Sequence, residues 1–281
     1  MSRAQTRPVA MRGPAKSRLE PSAMASLPPA QLRQLIRAGE YCGITSGLAP
    51  GVAQGNLAVV PNTLADAFEA FCRANPAALP LIERGEPGDP MLRCAANFDV
   101  RTDLGGYLVW TNGQPGPVQT DIAEHWHSGL TAFVLGCWFA AEAALDAAGV
   151  RMRHVEEGVQ GGLFRTTLPN APAGPFAVQI VVSTRPFARH DADRVVAITA
   201  RLPTAHGAPV NVGSPEAIGI HNLSKPDFGE PLPPSANEVA ISWACGLTGQ
   251  EALVDAGLPY FITHQPGCMV VTDIPVGAPP S

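Results

Sequence analysis

Lysine is nearly missing: Lys16 and Lys225 are the two in 281 residues. Schiff-base and pyridoxal chemistry need a lysine amine. Lys16 falls in an Arg- and Pro-rich leader, and Lys225 sits in Ser224-Lys225-Pro226-Asp227, which reads as an exposed turn, the usual place for this residue type. Charge is scarce altogether, at 15% of residues, with a net −5 and a pI near 5.8. A protein that tracks phosphates needs a basic face, so nucleic acid is excluded as a partner. No apolar run reaches the roughly 18 residues of a membrane helix; the longest, Leu130 to Leu145, is interrupted by Glu142. There is no G-x-x-x-x-G-K-S/T loop and no strand-bounded G-x-G-x-x-G, so no nucleotide cofactor is implied. The six cysteines (Cys42, Cys72, Cys94, Cys137, Cys245, Cys268) include no close pair. A C-x-x-C metal or redox site is therefore not expected. In a chain of this length without a secretory signal, a disulfide framework is not expected either. Most of these thiols read as small buried hydrophobes, and a reducing cytoplasm is the simplest setting.

What is present is apolar bulk, 46% of the chain, enough for one large domain or two intimate ones. Residues 1 to about 29, rich in Arg, Pro, Ala and Ser, read as a disordered extension. Beyond them, Gln31–Ala38 is expected as a helix, Gly43–Gly55 as a Gly-rich loop and Ala58–Pro61 as a strand. Thr63–Asn75 is expected as a helix capped by Asn62 or Thr63 and stopped by Pro76, and Pro87–Asp99 as a loop. Asn112-Gly113 is the strongest turn signal, and predicts a hairpin of Tyr107–Trp110 with Pro117–Thr120. Leu130–Ala148 is expected as a long helix ending at Gly149. Val178–Ser183, Val195–Ala200, Val239–Ala244 and Met269–Thr272 read as strands, with Gln250–Ala256 a helix between the last two. Interleaved helices and strands point to an α/β fold.

The chemistry-bearing residues cluster beside Gly and Pro. His206, before Gly207, and His264, in Thr263-His264-Gln265-Pro266-Gly267, sit in turn-forming settings where an imidazole can move protons near neutral pH. Each could equally stabilise its loop. Arg101 and Asp103 project to one side if the backbone is extended, and an arginine fork binds a carboxylate; a structural ion pair is the competing reading. Arg185 and Arg165 are similar carboxylate-binding candidates at strand ends. Glu142 lies in an apolar stretch, where burial raises a carboxyl pKa and suits a general acid, or where it bonds a backbone or arginine partner. Cys245 is an acid/base thiol or a buried structural one. Thr45, Ser46, Gln54 and Asn56, in or beside the Gly-rich loop, carry hydroxyls and amides that could fix a carboxylate, as does Thr263. His125-x-His127 lacks a third ligand, so no metal site is expected.

The chain also resembles a known family across residues 31 to 275. Ile36–Tyr41, Gly47–Gly51, Gln54–Leu57, Phe71–Pro76, Arg101–Leu104, Gly136–Glu142, Arg153-His154, Phe164–Thr166, Val182–Pro186, His206–Pro209, Trp243–Gly246 and Thr263-His264 are similar to ordered blocks of the YcsI-like hydro-lyases, a family related to part of D-glutamate cyclase. The resemblance implies two interleaved α/β subdomains around one intimate core: a three-layer α/β/α-type unit and a smaller two-layer unit, with roughly 125–205 as the inserted portion of a 30–281 domain. It implies a cofactor-independent carbon–oxygen lyase that acts on a small anionic carboxylate or amino acid, with no membrane partner; a homodimer is expected from base rates. Asn211 and Cys268 stand where the family usually carries histidine, Ser214 where it carries aspartate, and Gly161-Gly162 where it carries Val-Pro. A carboxylate-binding module that has lost turnover is therefore the alternative.

Overall fold

The structure, a computed structural model that describes Leu19 and residues 21–279, begins with one helical turn, α1 (Pro21–Met24), and α2 (Pro29–Arg37), where Pro29 pre-sets the first-turn backbone angle. Most of the expected disordered leader lies outside the described residues. Within them, Met24 is buried in a cluster with Leu32 and Ile36 of α2. Strand β1 (Val52–Pro61) leads into α3 (Asn62–Ala74), β2 (Leu81–Arg84), the short ribbon β3 (Met91–Leu92) and β4 (Phe98–Asp99), β5 (Tyr107–Thr111), β6 (Gln114–Pro115) and β7 (Leu130–Gly136). Next come α4 (Glu142–Ala147), α5 (Arg153–Glu157), β8 (Gly162–Pro169), β9 (Gln179–Ala188), α6 (Ala192–Thr199), β10 (Asn211–Val212), β11 (Glu238–Ala244), α7 (Leu247–Asp255), β12 (Tyr260–His264) and β13 (Val270–Pro275).

These elements make the expected α/β fold, here with antiparallel sheets. The larger sheet runs β2-β7-β1-β12-β5-β6, and β13 pairs with β1 beside β12. The smaller runs β10-β11-β9-β8 and is built from residues 162–244, between two strands of the larger one. One hydrophobic cluster joins the two. Phe68 and Phe71 of α3, Phe133 of β7, Phe261 of β12 and Leu253 of α7 pack with Phe176 and with Ala244 of β11.

Several sequence expectations change. Leu130–Ala148 is not a long helix; it is β7, a 3-10 turn over Trp138–Ala141, and α4. Strand β7 is central and buried along its whole length, so its apolar run has no alternation to distinguish it from a buried helix. The strand expected at Val195–Ala200 falls in α6, where packing of Val195 and Thr199 outweighs the β-branched composition. The loop expected over Pro87–Asp99 contains the β3–β4 ribbon. Asn112 and Gly113 have φ of 50° and 73°, the pair of positive angles a two-residue hairpin turn needs. The returning strand is Gln114–Pro115, and of Pro117–Thr120 only Gln119 bridges to Tyr107. Helix α3 starts at Asn62 without a side-chain cap; the Asn62 amide donates instead to the Ser128 carbonyl at 2.9 Å.

Candidate functional site

Five strands from both sheets converge on a cavity of about 40 Å³. Asn56 comes from β1, Cys137 follows β7, Ser183 and Arg185 lie on β9, and Cys245 follows β11. His264 ends β12, and His206 arrives on the turn after α6. Close backbone approach makes this convergence possible. A Cβ at Gly136 would collide with the Thr204 carbonyl, and one at Gly246 with the Asn56 amide. The Gly246–Leu247 start of α7 also lines the cavity and turns the positive end of the helix toward it.

Arg185 sets the electrostatics. It is 2% exposed, lies with its guanidinium 4.0 Å from the centre of the Trp138 ring, and donates to Ser183 Oγ and to the Gln160 carbonyl at 3.3 Å. Its Nε has no partner, nor does the buried Trp138 indole N–H. No carboxylate pairs with it among the described residues; the other deeply buried arginine, Arg33, is bidentate to Asp273 at 2.9 and 3.0 Å. Burial pulls the Arg185 pKa down, and the negative charge of Glu142 works against that shift. A desolvated guanidinium with a spare N–H and no counter-ion is built to receive an anion.

The two histidines are neutral, and their backbone partners give them opposite tautomers. Burial lowers both to about 4. His206 Nδ1 lies 2.8 Å from the Ala77 carbonyl oxygen, so this nitrogen carries the proton and Nε2 is left as a lone pair. His264 Nδ1 instead accepts the Leu57 N–H at 3.2 Å, which puts the proton on Nε2; the Leu57 oxygen is farther, at 3.4 Å. One imidazole thus offers the cavity a base and the other a donor. The thiols are neutral as well: burial pushes Cys137 up to about 12 and raises Cys245. Asn56 spends its N–H groups on the Leu135 and Gly136 carbonyls, at 3.2 and 2.9 Å, so its side-chain oxygen is what it has left to offer.

The cavity therefore brings together Arg185, His206, His264, Asn56 and Cys245 of the residues singled out from sequence. Cys137, Trp138, Ser183 and Gln160 join them, and sequence reasoning did not select these four. The remaining candidates lie outside the cavity. Arg101 is held by Asp99, with Nε–Oδ1 at 3.0 Å and Nη2–Oδ2 at 2.7 Å, and does not pair with Asp103. Asp103 is fully buried and accepts both nitrogens of an Arg37 fork, at 2.6 and 2.5 Å. Arg165 pairs with Glu251 at 2.7 Å and Asp227 at 3.2 Å. Glu142 accepts Ser46 Oγ, the Gly47 N–H and His154 Nε2, and lines a separate cavity of about 420 Å³. Thr45 ties the loop beyond His264 through Gly267 and Met269, Gln54 donates to the Thr45 and Leu48 carbonyls, and Thr263 Oγ1 accepts the Trp110 indole N–H at 2.9 Å. Asn211, Ser214 and Cys268 do not line the Arg185 cavity either; the first two bond each other and Cys268 is buried beside Cys42.

Comparison with known proteins places this geometry in context. Residues 131–273 match the family model described as D-glutamate cyclase, a span that holds Cys137, Arg185, His206, Cys245 and His264. A protein of Rhodopseudomonas palustris (strain HaA2) named "Putative hydro-lyase" is 46% identical over 249 residues, 88% of this chain and 91% of that one. Like-named proteins of Bradyrhizobium sp. and Xanthobacter autotrophicus are 45% and 44% identical, covering 88% and 87% of this chain and 91% and 89% of theirs. Among solved structures, a nitrogen repressor-like protein of Methanococcus jannaschii aligns with 83% of this chain and 90% of its own, at a TM-score of 0.37 and 10% identity.

Proposed function

The chain belongs to the D-glutamate cyclase family, whose curated relatives bear hydro-lyase names, and from that membership we propose that it is a cofactor-independent lyase that eliminates water from a small carboxylate substrate at the Arg185 cavity. The observation that carries the reading is a buried guanidinium with no counter-ion among the described residues, in one cavity with two neutral imidazoles of opposite tautomer.

In this reading Arg185, rather than Arg101, holds the substrate carboxylate, because the Arg101 fork is already committed to Asp99. His206 Nε2 removes the proton from the carbon beside the carboxylate. The carbon–oxygen bond breaks and its electrons leave with the oxygen; His264 Nε2–H donates a hydrogen bond to that oxygen while His206 passes it the proton taken from carbon, giving water. The pair from the broken C–H bond forms the new double bond. Both imidazoles end the cycle neutral, as they began it. Ring closure of an amino acid with loss of water would use the same donor at the departing oxygen.

Mass spectrometry on D-glutamate, 5-oxoproline and a panel of hydroxy acids tests the proposal. At least one substrate is expected to lose 18 Da with the wild-type protein, and His264→Ala should slow that loss at least a hundredfold. Carboxylate binding without any 18 Da change would favour a module that binds and does not turn over.

A further inference from the structure

Resting on the lyase reading, we infer that the Arg185 cavity takes a short hydroxy carboxylate and discriminates against the amino acid of the same shape. The inference starts from charge. Among the described residues, Arg185 is the one ionised side chain lining the cavity, and no Asp, Glu or Lys lines it. The anion of a ligand finds the guanidinium and its spare Nε–H. An ammonium finds no carboxylate. It would be buried beside a like charge, with uncharged acceptors such as Asn56 Oδ1 and His206 Nε2 for company, and desolvation penalises that arrangement. Glu142, the carboxylate that acts on Arg185 electrostatically, is turned away: Ser46, Gly47 and His154 occupy it, and it lines the other cavity.

A hydroxyl meets no such penalty. It can donate to the lone pair that Ala77 leaves on His206, or accept from the proton that Leu57 leaves on His264 Nε2. Size narrows the class further. About 40 Å³ is the room of roughly three water-sized groups, at some 10–15 Å³ each. Even a two-carbon hydroxy acid, with five non-hydrogen atoms, needs the walls to give a little, and each added carbon needs them to give more.

Matched pairs test the inference on the full-length protein at pH 7.5: glycolate against glycine, lactate against alanine, glycerate against serine. Calorimetric titration is expected to show the hydroxy acid binding at least tenfold more tightly in at least one pair, and in no pair the reverse. Lactamide, which keeps the hydroxyl and lacks the anion, should not bind. Arg185→Gln should weaken the preferred acid at least tenfold, and the lactamide comparison in the wild type carries the same point should that variant fail to fold. Amino acids that bind as well as or better than their partners would overturn the inference, and so would absence of binding by all six acids. Glycerate is the one of the three with a hydroxyl on the carbon next to the one His206 deprotonates; if it bound without loss of 18 Da, it would leave the inference standing and remove the lyase reading. An amino acid that binds preferentially and loses 18 Da would do the opposite.

Discussion

Arg185 and the two histidines are each held in a form that folding alone would not choose. An unpaired buried guanidinium is paid for by the rest of the molecule, since stacking on Trp138 and bonds to Ser183 and Gln160 recover only part of its lost hydration. Arg185→Met, similar in bulk and free of charge, is therefore expected to hold or raise the urea midpoint, by about 1 kcal/mol, while it removes stabilisation by added carboxylate. A loss of more than about 2 kcal/mol would mean that the guanidinium is structural. The histidines give a prediction in pH. They titrate at about 4 in the folded chain, against about 6.5 when unfolded. Between those values the unfolded chain binds the protons and the folded chain does not, so stability increases with pH across the interval. The contribution, on the order of 3 kcal/mol per histidine, is complete above about pH 6.5 and drains away as pH falls through about 4. His206→Asn, whose amide can still donate to Ala77, should show a shallower decline of the urea midpoint over that range. An unchanged slope would place the His206 proton elsewhere.

At the scale of elements, the site depends on how closely the turn that carries His206 rests on β7. The Thr204 carbonyl occupies the space a side chain would take at Gly136, and the obstacle is backbone, which cannot rotate aside. Gly136→Ala is thus expected to push the Pro203–Ala205 turn outward, at a cost of about 1–3 kcal/mol, and to displace His206 from the cavity. Urea denaturation and the imidazole NMR signals of His206 check both parts. Gly277→Ala, with open space around it, is the control and should change the midpoint by less than about 0.5 kcal/mol. The same region shows where sequence stops being legible. Periodicity and turn chemistry suffice for α2, α3 and the Asn112-Gly113 turn, because each announces itself within about a dozen residues, but not for the strand that returns from that turn, which is Gln114–Pro115 and not Pro117–Thr120. They mislead at β7 and α6, where burial on both faces or β-branched composition hides the period. Turn context draws attention to His206 and His264, and the end of a strand to Arg185. Nothing local marks Trp138 or Ser183, which matter because the fold sets the Arg185 guanidinium over the Trp138 ring and against Ser183 Oγ. Arg101 and Arg165 look like anion binders in sequence because their carboxylate partners, at positions 99, 227 and 251, are visible only in the fold.

For the whole molecule, the question is whether two sheets that share one site also share one folding transition. The larger sheet is interrupted in sequence by the smaller, and the seam between them is apolar and hydrogen-bonded. Phe176 and Ala244 sit in the same cluster as Phe68 and Phe133. Across the seam, Thr248 Oγ1 accepts the Val181 N–H at 3.0 Å, and Asn75 exchanges two hydrogen bonds of 2.8 Å with Ala171. Opening the smaller sheet alone would expose that cluster and strand those polar groups, so partial unfolding gains little over complete unfolding. Amides of β1 and β7 in one sheet, and of β9 and β11 in the other, are expected to exchange hydrogen with the same free energy when followed by mass spectrometry. A bound carboxylate touches both sheets through Arg185 and His264, so at about 100 times its Kd it should raise all four strands together, by about 2.7 kcal/mol. Protection that rises in β9 and β11 while β1 and β7 stay unchanged would mean that the ligand sits within one sheet, and the shared cavity would then not be the place where the anion binds.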